Sequence, residues 1–343
     1  MKRNLRRLSG ALLIFLSSLW APPSARSEAP RLGAFEKPRP RTLFVPQAGE
    51  HFSEYEALNG STSSPEQCSR IPDAVWVETD GGGDCIRYYQ HGLSESNPVV
   101  LVYFSGDVIL RNSKGVRFVA PSYLEQTPAG ISRDMASWHE QAGKPVIYLA
   151  RPGIHGSSGD HNKRRYPYEV ALMDGALARI KERYKVGSFI LAGHSGGGHI
   201  AASLLNRRSD IDAVAISSGM LAVKRVMDYF ERLQTIPGWM LYDVKAFYDP
   251  VEEVDRIRKQ PQPQIYIISD PEDRAVPFSS QLYYVRKLRD AGFVPHHVYA
   301  YAPDKKHHLL ALNARLAAAL AARDKGAKDI RRALFEMDLD NAE

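Results

Sequence analysis

Residues 188–199, Ser-Phe-Ile-Leu-Ala-Gly-His-Ser-Gly-Gly-Gly-His, constrain this chain most. Phe189, Ile190, Leu191 and Ala192 form an uninterrupted apolar run of the kind a fully buried strand uses. The run stops at Gly193, Ser195 follows, and Ile200, Ala201, Ala202, Leu204 and Leu205 begin a helical pattern at once. Small residues on both sides of Ser195, in Gly193-x-Ser195-x-Gly197, let a strand turn sharply into a helix and project the serine hydroxyl above a sheet. The pentapeptide alone is weak, because Gly-Ser-Gly also occurs in plain loops. Its strand and helix flanks make it read as a nucleophile elbow.

Elements before and after the elbow follow one rhythm. Val75–Glu78 and Ile86–Gln90 flank Asp80-Gly-Gly-Gly-Asp84, a hairpin signal. Val99–Phe104, Val146–Ala150, Phe189–Ala192, Ala213–Ile216, Ile265–Ile268 and Val298–Tyr301 are then short apolar runs separated by helical or loop material. Tyr168–Tyr184, Ser279–Ala291 and Leu309–Ala322 carry helical spacing. Such alternation predicts an α/β fold, a mostly parallel sheet flanked by helices on both faces. Residues 219–263 are longer and less regular, and fit either a small helical cap over a pocket or an ordinary pair of packed helices.

The N-terminus reads as a secretory signal peptide over residues 1–29: Lys2, Arg3, Arg6 and Arg7, an apolar run from Ala11 to Trp20, then small residues to Ala29. The apolar run is about half of the roughly 20 residues a membrane span needs, so no stable membrane anchor is expected. Cleavage would lower the formal charge from +6 to +2. That balance gives no reason to invoke nucleic acid, and Lys163–Arg165 and Lys305–Lys306 read as solvated surface. The expected location is exported, periplasmic or secreted. In an oxidising compartment the only two cysteines, Cys68 and Cys85, are expected to pair, against the alternative of two buried thiols. Residues 30–66, rich in Pro, Arg, Ser and Gly, predict an irregular segment, and 67–343 a single catalytic-type domain. Metal-ligating spacing is lacking, so no metal and no cofactor are expected.

A serine hydroxyl needs a base to take its proton and a third group to orient that base. Asp273, in Ser269-Asp-Pro-Glu-Asp-Arg-Ala-Val-Pro277, follows the Ile265–Ile268 run, and His307 and His308 follow Val298–Tyr301. Both positions fall at the carboxyl edge of a parallel sheet, where chemistry gathers.

Elbow, acid and histidine in the order Ser, Asp, His resemble the α/β-hydrolase family over roughly residues 75–320. The resemblance implies Ser195 as nucleophile, Asp273 as acid, and His308 as base with His307 the alternative; Asp270 becomes a turn residue. It implies an oxyanion hole from the backbone N–H groups of Gly196 and Asp107, the latter in Ser105-Gly106-Asp107, where serine replaces the family's usual histidine. Arg151-Pro-Gly-Ile-His-Gly-Ser-Ser-Gly159 resembles the family's glycine-rich loop: its serines are expected to bond their own backbone, and His155 is a candidate pocket residue. The implied activity is an exported serine hydrolase cleaving an ester, thioester or amide of a small molecule or peptide. The nearest resemblance is to compact members around the prolyl-oligopeptidase and esterase groups, without room for a propeller domain. Small-ester hydrolysis stands first by analogy, a small serine peptidase or amidase second. A non-catalytic binding protein on the same fold is the reading from another class.

Overall fold

The structure is a computed structural model in which residues 38–233 and 242–340 are described. The expected signal peptide and residues 30–37 lie outside them.

Eight strands form the main sheet: β1 (Ala74–Thr79), β2 (Gly82–His91), β3 (Asn97–Phe104), β4 (Val146–Leu149), β5 (Val186–His194), β6 (Ile211–Ser217), β7 (Gln264–Ser269) and β8 (His296–Tyr299). Their spatial order is β1-β2-β4-β3-β5-β6-β7-β8. β2 runs antiparallel to both β1 and β4, and all later pairings are parallel. The hairpin turn is tighter than expected, because Thr79 pairs Gly82 and only Asp80-Gly81 turns. Asp-Gly suits a two-residue hairpin, so Gly82, Gly83 and Asp84 join the strand.

Successive residues of each central strand feed opposite faces. Val100, Val102 and Phe104 of β3 join one apolar core with α2 (Pro167–Arg183), α3 (Gly196–Arg207) and α5 (Phe278–Asp290). Leu101 and Tyr103 join a second core with α1 (Pro128–Ala142), α6 (Ala311–Ala321) and α7 (Ala327–Asp340). A sheet buried on both faces is why its strands read as continuous apolar runs. α1 and α7 were not evident in the sequence. The α1 signals are local: Thr127 caps Gly130 N, Pro128 opens the helix, and Gly143 ends it at φ 62°.

Residues 38–66 are more ordered than their composition suggests. Arg41–Thr42 pairs in parallel with Ser61–Thr62, and Ser53 caps a short helix, Glu54–Asn59. Buried Glu56 accepts from Phe44 N at 2.7 Å, which fastens the segment. Cys68 and Cys85 form a disulfide, Cα–Cα 5.4 Å, tying this region to β2. A loop of this length is worth about 3 kcal/mol in the chain-entropy account. No helix among the described residues is long and apolar enough to cross a membrane.

The insertion after β6 contributes α4 (Val223–Glu231) and two short 3₁₀ helices, Val244–Ala246 and Pro250–Arg256. Trp239 and Met240 lie outside the described residues. Asp249 anchors it by accepting from Val223 N at 2.8 Å and Lys224 N at 3.0 Å, which satisfies the first amides of α4.

Candidate active site

β5 runs straight into α3 with Ser195 alone between them, at φ 54° and ψ −117°, a conformation that side chains rarely adopt. The surroundings enforce it. Ser195 N donates to Ser217 O at 3.0 Å, and its carbonyl accepts from Met220 N at 3.1 Å. Two glycines make the turn sterically open: a Cβ at Gly193 would stand 2.5 Å from Gly197 O, and one at Gly197 would strike Phe104 O. The hydroxyl faces a cavity of about 750 Å³.

Asp273 follows β7. Its Oδ1 accepts from Ala275 N and Val276 N, each at 2.8 Å, and its side chain is fully buried. His308 Nδ1 lies 3.0 and 2.9 Å from the two Asp273 oxygens. An ionised carboxylate only accepts, so Nδ1 carries the proton and Nε2 keeps its lone pair. Asp304 holds the histidine loop by accepting from His308 N at 2.7 Å and Leu309 N at 2.6 Å. The same contact keeps Leu309 and Leu310 out of α6, which therefore starts two residues later than its apolar pattern. Ser195 and His308 line the same cavity, with no hydrogen bond between them.

His307 points elsewhere. At φ 54° its ring turns back to Asp270, with Nδ1 3.2 Å from Oδ2 and Nε2 3.7 Å from Glu272 Oε2. It does not line the cavity. Asp270 also accepts from Glu272 N and Ala302 N, so it is a turn residue that additionally pairs with His307.

Gly196 opens α3, and Gly106 lies so near the elbow that a Cβ on it would stand 3.3 Å from Ser195 Cβ. The N–H groups of Gly196 and Asp107 have no acceptor among the described residues. The Asp107 side chain makes contacts that its place in the chain did not suggest. Its carboxylate abuts the Gly196 Cα and is held by Arg151 Nη1 at 2.8 Å, Arg164 Nε at 3.2 Å and Arg165 Nη2. Burial pushes the Asp107 carboxyl upward, but the three guanidiniums outweigh it and hold it well below the usual range. Glu169 on α2 closes the cluster through Arg151 Nε at 2.8 Å and Arg165 N at 2.6 Å. Arg164 and Arg165 are therefore buried, 6% and 4% exposed, and not the solvated surface their basic run suggested. The shared partner of their guanidiniums, Asp107, lies 57 and 58 residues earlier in the chain, and Glu169 takes only the backbone N–H of Arg165.

Behind the serine the glycine-rich loop is scaffold. Ser158 Oγ accepts from Cys85 N at 2.8 Å and Ser157 Oγ from Arg87 N at 3.0 Å, so these serines extend the β2 ladder rather than bond their own backbone. His155 does line the cavity, joined to Gln126 at 2.7 Å and to Tyr148, whose hydroxyl donates to Ser105 Oγ at 2.7 Å. The His194 ring packs 4.9 Å from that of His308. Met220, Met227, Phe230, Tyr242 and Val244 of the insertion wall one side of the cavity. No cluster of metal-ligating side chains occurs among the described residues.

His155, His194 and His199 are each pushed down to about 3, foremost by burial. They stay neutral when folded, whereas unfolded histidines protonate near pH 6.5. Between these limits the unfolded chain binds more protons, so stability falls as pH falls, by up to about 4 kcal/mol per pH unit when all three contribute. Urea unfolding at pH 7 and pH 5 should show a lower midpoint at pH 5; an unchanged midpoint would contradict three neutral buried imidazoles.

Comparison with known proteins agrees with the fold. The pattern of the prolyl oligopeptidase family matches residues 174–324, a stretch that includes Ser195, Asp273 and both candidate histidines. No curated protein matches the chain. An esterase of Pyrococcus furiosus superposes with TM-score 0.51 at 12% identity, covering 76% of this chain and 94% of the esterase. Prolyl oligopeptidase B from Galerina marginata gives 0.50 at 12%, covering 73% of this chain and 36% of its own. An acylaminoacyl peptidase of Pyrococcus horikoshii gives 0.48 at 14%, over 79% of this chain. This chain spans 42% of that peptidase's length. The sheet order, the helices on both faces and the strand–serine–helix turn are those of the α/β-hydrolase fold.

Proposed function

We propose that this member of the α/β-hydrolase family, a serine hydrolase, cleaves a small carboxylic ester through an acyl-enzyme on Ser195. The observation that carries the reading is the orientation of His308: Asp273 occupies Nδ1, so Nε2 is the basic nitrogen, and the ring lines the cavity that holds Ser195.

In this reading, Ser195 Oγ attacks the substrate carbonyl while His308 Nε2 takes its proton. Asp273 keeps the imidazole in the required tautomer and stabilises the imidazolium that forms. The tetrahedral oxyanion is met by the N–H groups of Gly196 and Asp107, which have no acceptor among the described residues, and by the positive end of α3. His308 then returns the proton to the leaving group. Water, activated by the same nitrogen, releases the acid and restores Ser195. The buried ion cluster gives the oxyanion loop its stiffness, because Asp107 can move only by breaking charge-assisted bonds to three arginines.

The match to the prolyl oligopeptidase family favours amide cleavage as the second reading. A panel of 4-nitrophenyl esters of increasing acyl length beside aminoacyl 4-nitroanilides separates the two. The ester reading expects kcat/KM at least about 100-fold higher on the best ester than on the best anilide, beyond their intrinsic reactivity difference. Anilides turned over as fast as the esters would place the chain with the peptidases. We further propose that the protein acts outside the cytoplasm, a reading supported by the charge and apolar pattern of residues 1–29 and by the Cys68–Cys85 disulfide.

A further inference from the structure

The mechanism uses the Asp107 ion cluster only to stiffen the oxyanion loop, and leaves its charge unused. Three buried guanidiniums face two carboxylates in the Asp107 cluster, an excess of one positive charge in a region nearly closed to solvent. Arg165 presents that excess to the cavity. It is 4% exposed and lines the cavity, with Nη2 on Asp107 and Nε 2.7 Å from Met220 Sδ, while Nη1 has no partner among the described residues. A guanidinium this deep in protein is stable only while its donors are met, and a sulfur is a weak acceptor.

The surrounding charge points the same way. Arg111 lines the same cavity, fixed by Tyr242 at 3.0 Å and Gly115 O at 2.7 Å. Among the described residues the lining includes five cationic side chains against three carboxylates, and of those three Asp107 and Asp304 are already engaged, by the arginines and by backbone amides respectively. The other walls are apolar, from Met227, Phe230 and Val276.

We propose that the substrate is an ester whose acyl part carries a carboxylate, and that Arg165 is the residue that recognises it. This deepens the ester reading and rests on it for the place of the scissile carbonyl. The side is set by the chemistry: the general acid must reach the leaving group, so the leaving group lies toward His308. Arg165 lies one carboxylate away from Gly196 and the oxyanion position, joined to them through Asp107. An acyl chain running from the oxyanion along the apolar wall brings its distal carboxylate to Arg165, which completes the open guanidinium valence and offsets the excess charge. A neutral acyl chain leaves both unmet, and sites built for a charged partner discriminate strongly against analogues that lack it.

The test compares 4-nitrophenyl hemiglutarate with 4-nitrophenyl valerate, an acyl chain of the same carbon count without the charge. Wild type is expected to favour the hemiglutarate at least tenfold in kcat/KM. In Arg165→Gln the ratio should fall to about one, and in Arg165→Lys to an intermediate value; a ratio cancels any general damage to the fold. A wild-type ratio of one or less, or a ratio unmoved by Arg165→Gln, overturns the proposal. Should Arg165→Gln not fold, the wild type decides alone: glutarate is expected to inhibit turnover of the neutral ester at concentrations at least tenfold below glutaramide, and equal inhibition overturns the proposal. The anion site is also read without catalysis. In Ser195→Ala, glutarate should raise the melting temperature by several degrees where glutaramide does not. Absence of ester turnover together with that shift removes the ester reading and keeps the carboxylate site; equal effects of the two compounds remove the site.

Discussion

Replacing Ser195 by alanine is expected to lower kcat for a 4-nitrophenyl ester by about 10⁴- to 10⁶-fold, the range seen when the nucleophile of a serine triad is removed. The loss is this large because nothing nearby substitutes: His194, His199 and His155 are buried and held neutral by burial, and among the described residues no other hydroxyl lies between a strand and a helix that follow each other as β5 and α3 do. Ser195→Ala should melt close to wild type, since alanine at φ 54° inherits the same strain. Ser195→Gly should melt higher than Ser195→Ala, because glycine adopts this conformation without cost and the strain is worth about 1–3 kcal/mol. Activity retained within tenfold in Ser195→Ala would remove the serine from the chemistry.

The second large effect separates neighbouring residues. His308→Ala is expected to reduce kcat/KM by about 10³- to 10⁴-fold, whereas His307→Ala should change it by less than about tenfold. The asymmetry follows from where each ring goes. His308 turns inward onto Asp273 and lines the cavity; His307, at positive φ, turns outward and has both nitrogens directed at Asp270 and Glu272. Stability is expected to change alike in the two variants, because each loss leaves a fully buried aspartate with two backbone donors: Asp270 with Glu272 N and Ala302 N, Asp273 with Ala275 N and Val276 N. Parallel steady-state kinetics and urea titrations of the two variants check both statements.

Much of this was legible in the chain because the physical constraint was local. A buried strand needs continuous apolar residues, a sharp strand–helix turn needs glycines that backbone oxygens can approach, and a hairpin needs turn residues such as those of Asp80–Asp84, although the turn itself proved shorter; each leaves a mark within a few residues. What was hidden depends on distant partners. Arg164 and Arg165 look like surface until Asp107, more than fifty residues earlier, is brought against them. Glu56 looks like a loop acid until Phe44 N and Arg41 reach it. The first turn of α6 was misplaced because Leu309 and Leu310 carry helical apolarity, yet Asp304 captures the local amide for the histidine loop. The direction of each histidine was equally illegible, since one positive φ at His307 decides it and no side-chain type encodes that.

The account depends on the Ser195 hydroxyl being activated in place, and covalent capture tests this most directly. The protein would be treated with a fluorophosphonate at neutral pH and its peptides mapped by mass spectrometry. A single adduct on the peptide containing Ser195, slowed at least about 100-fold in His308→Ala and unaffected in rate by His307→Ala within threefold, is the predicted result. A folded protein that takes up no label, or takes it at a different serine, would contradict it.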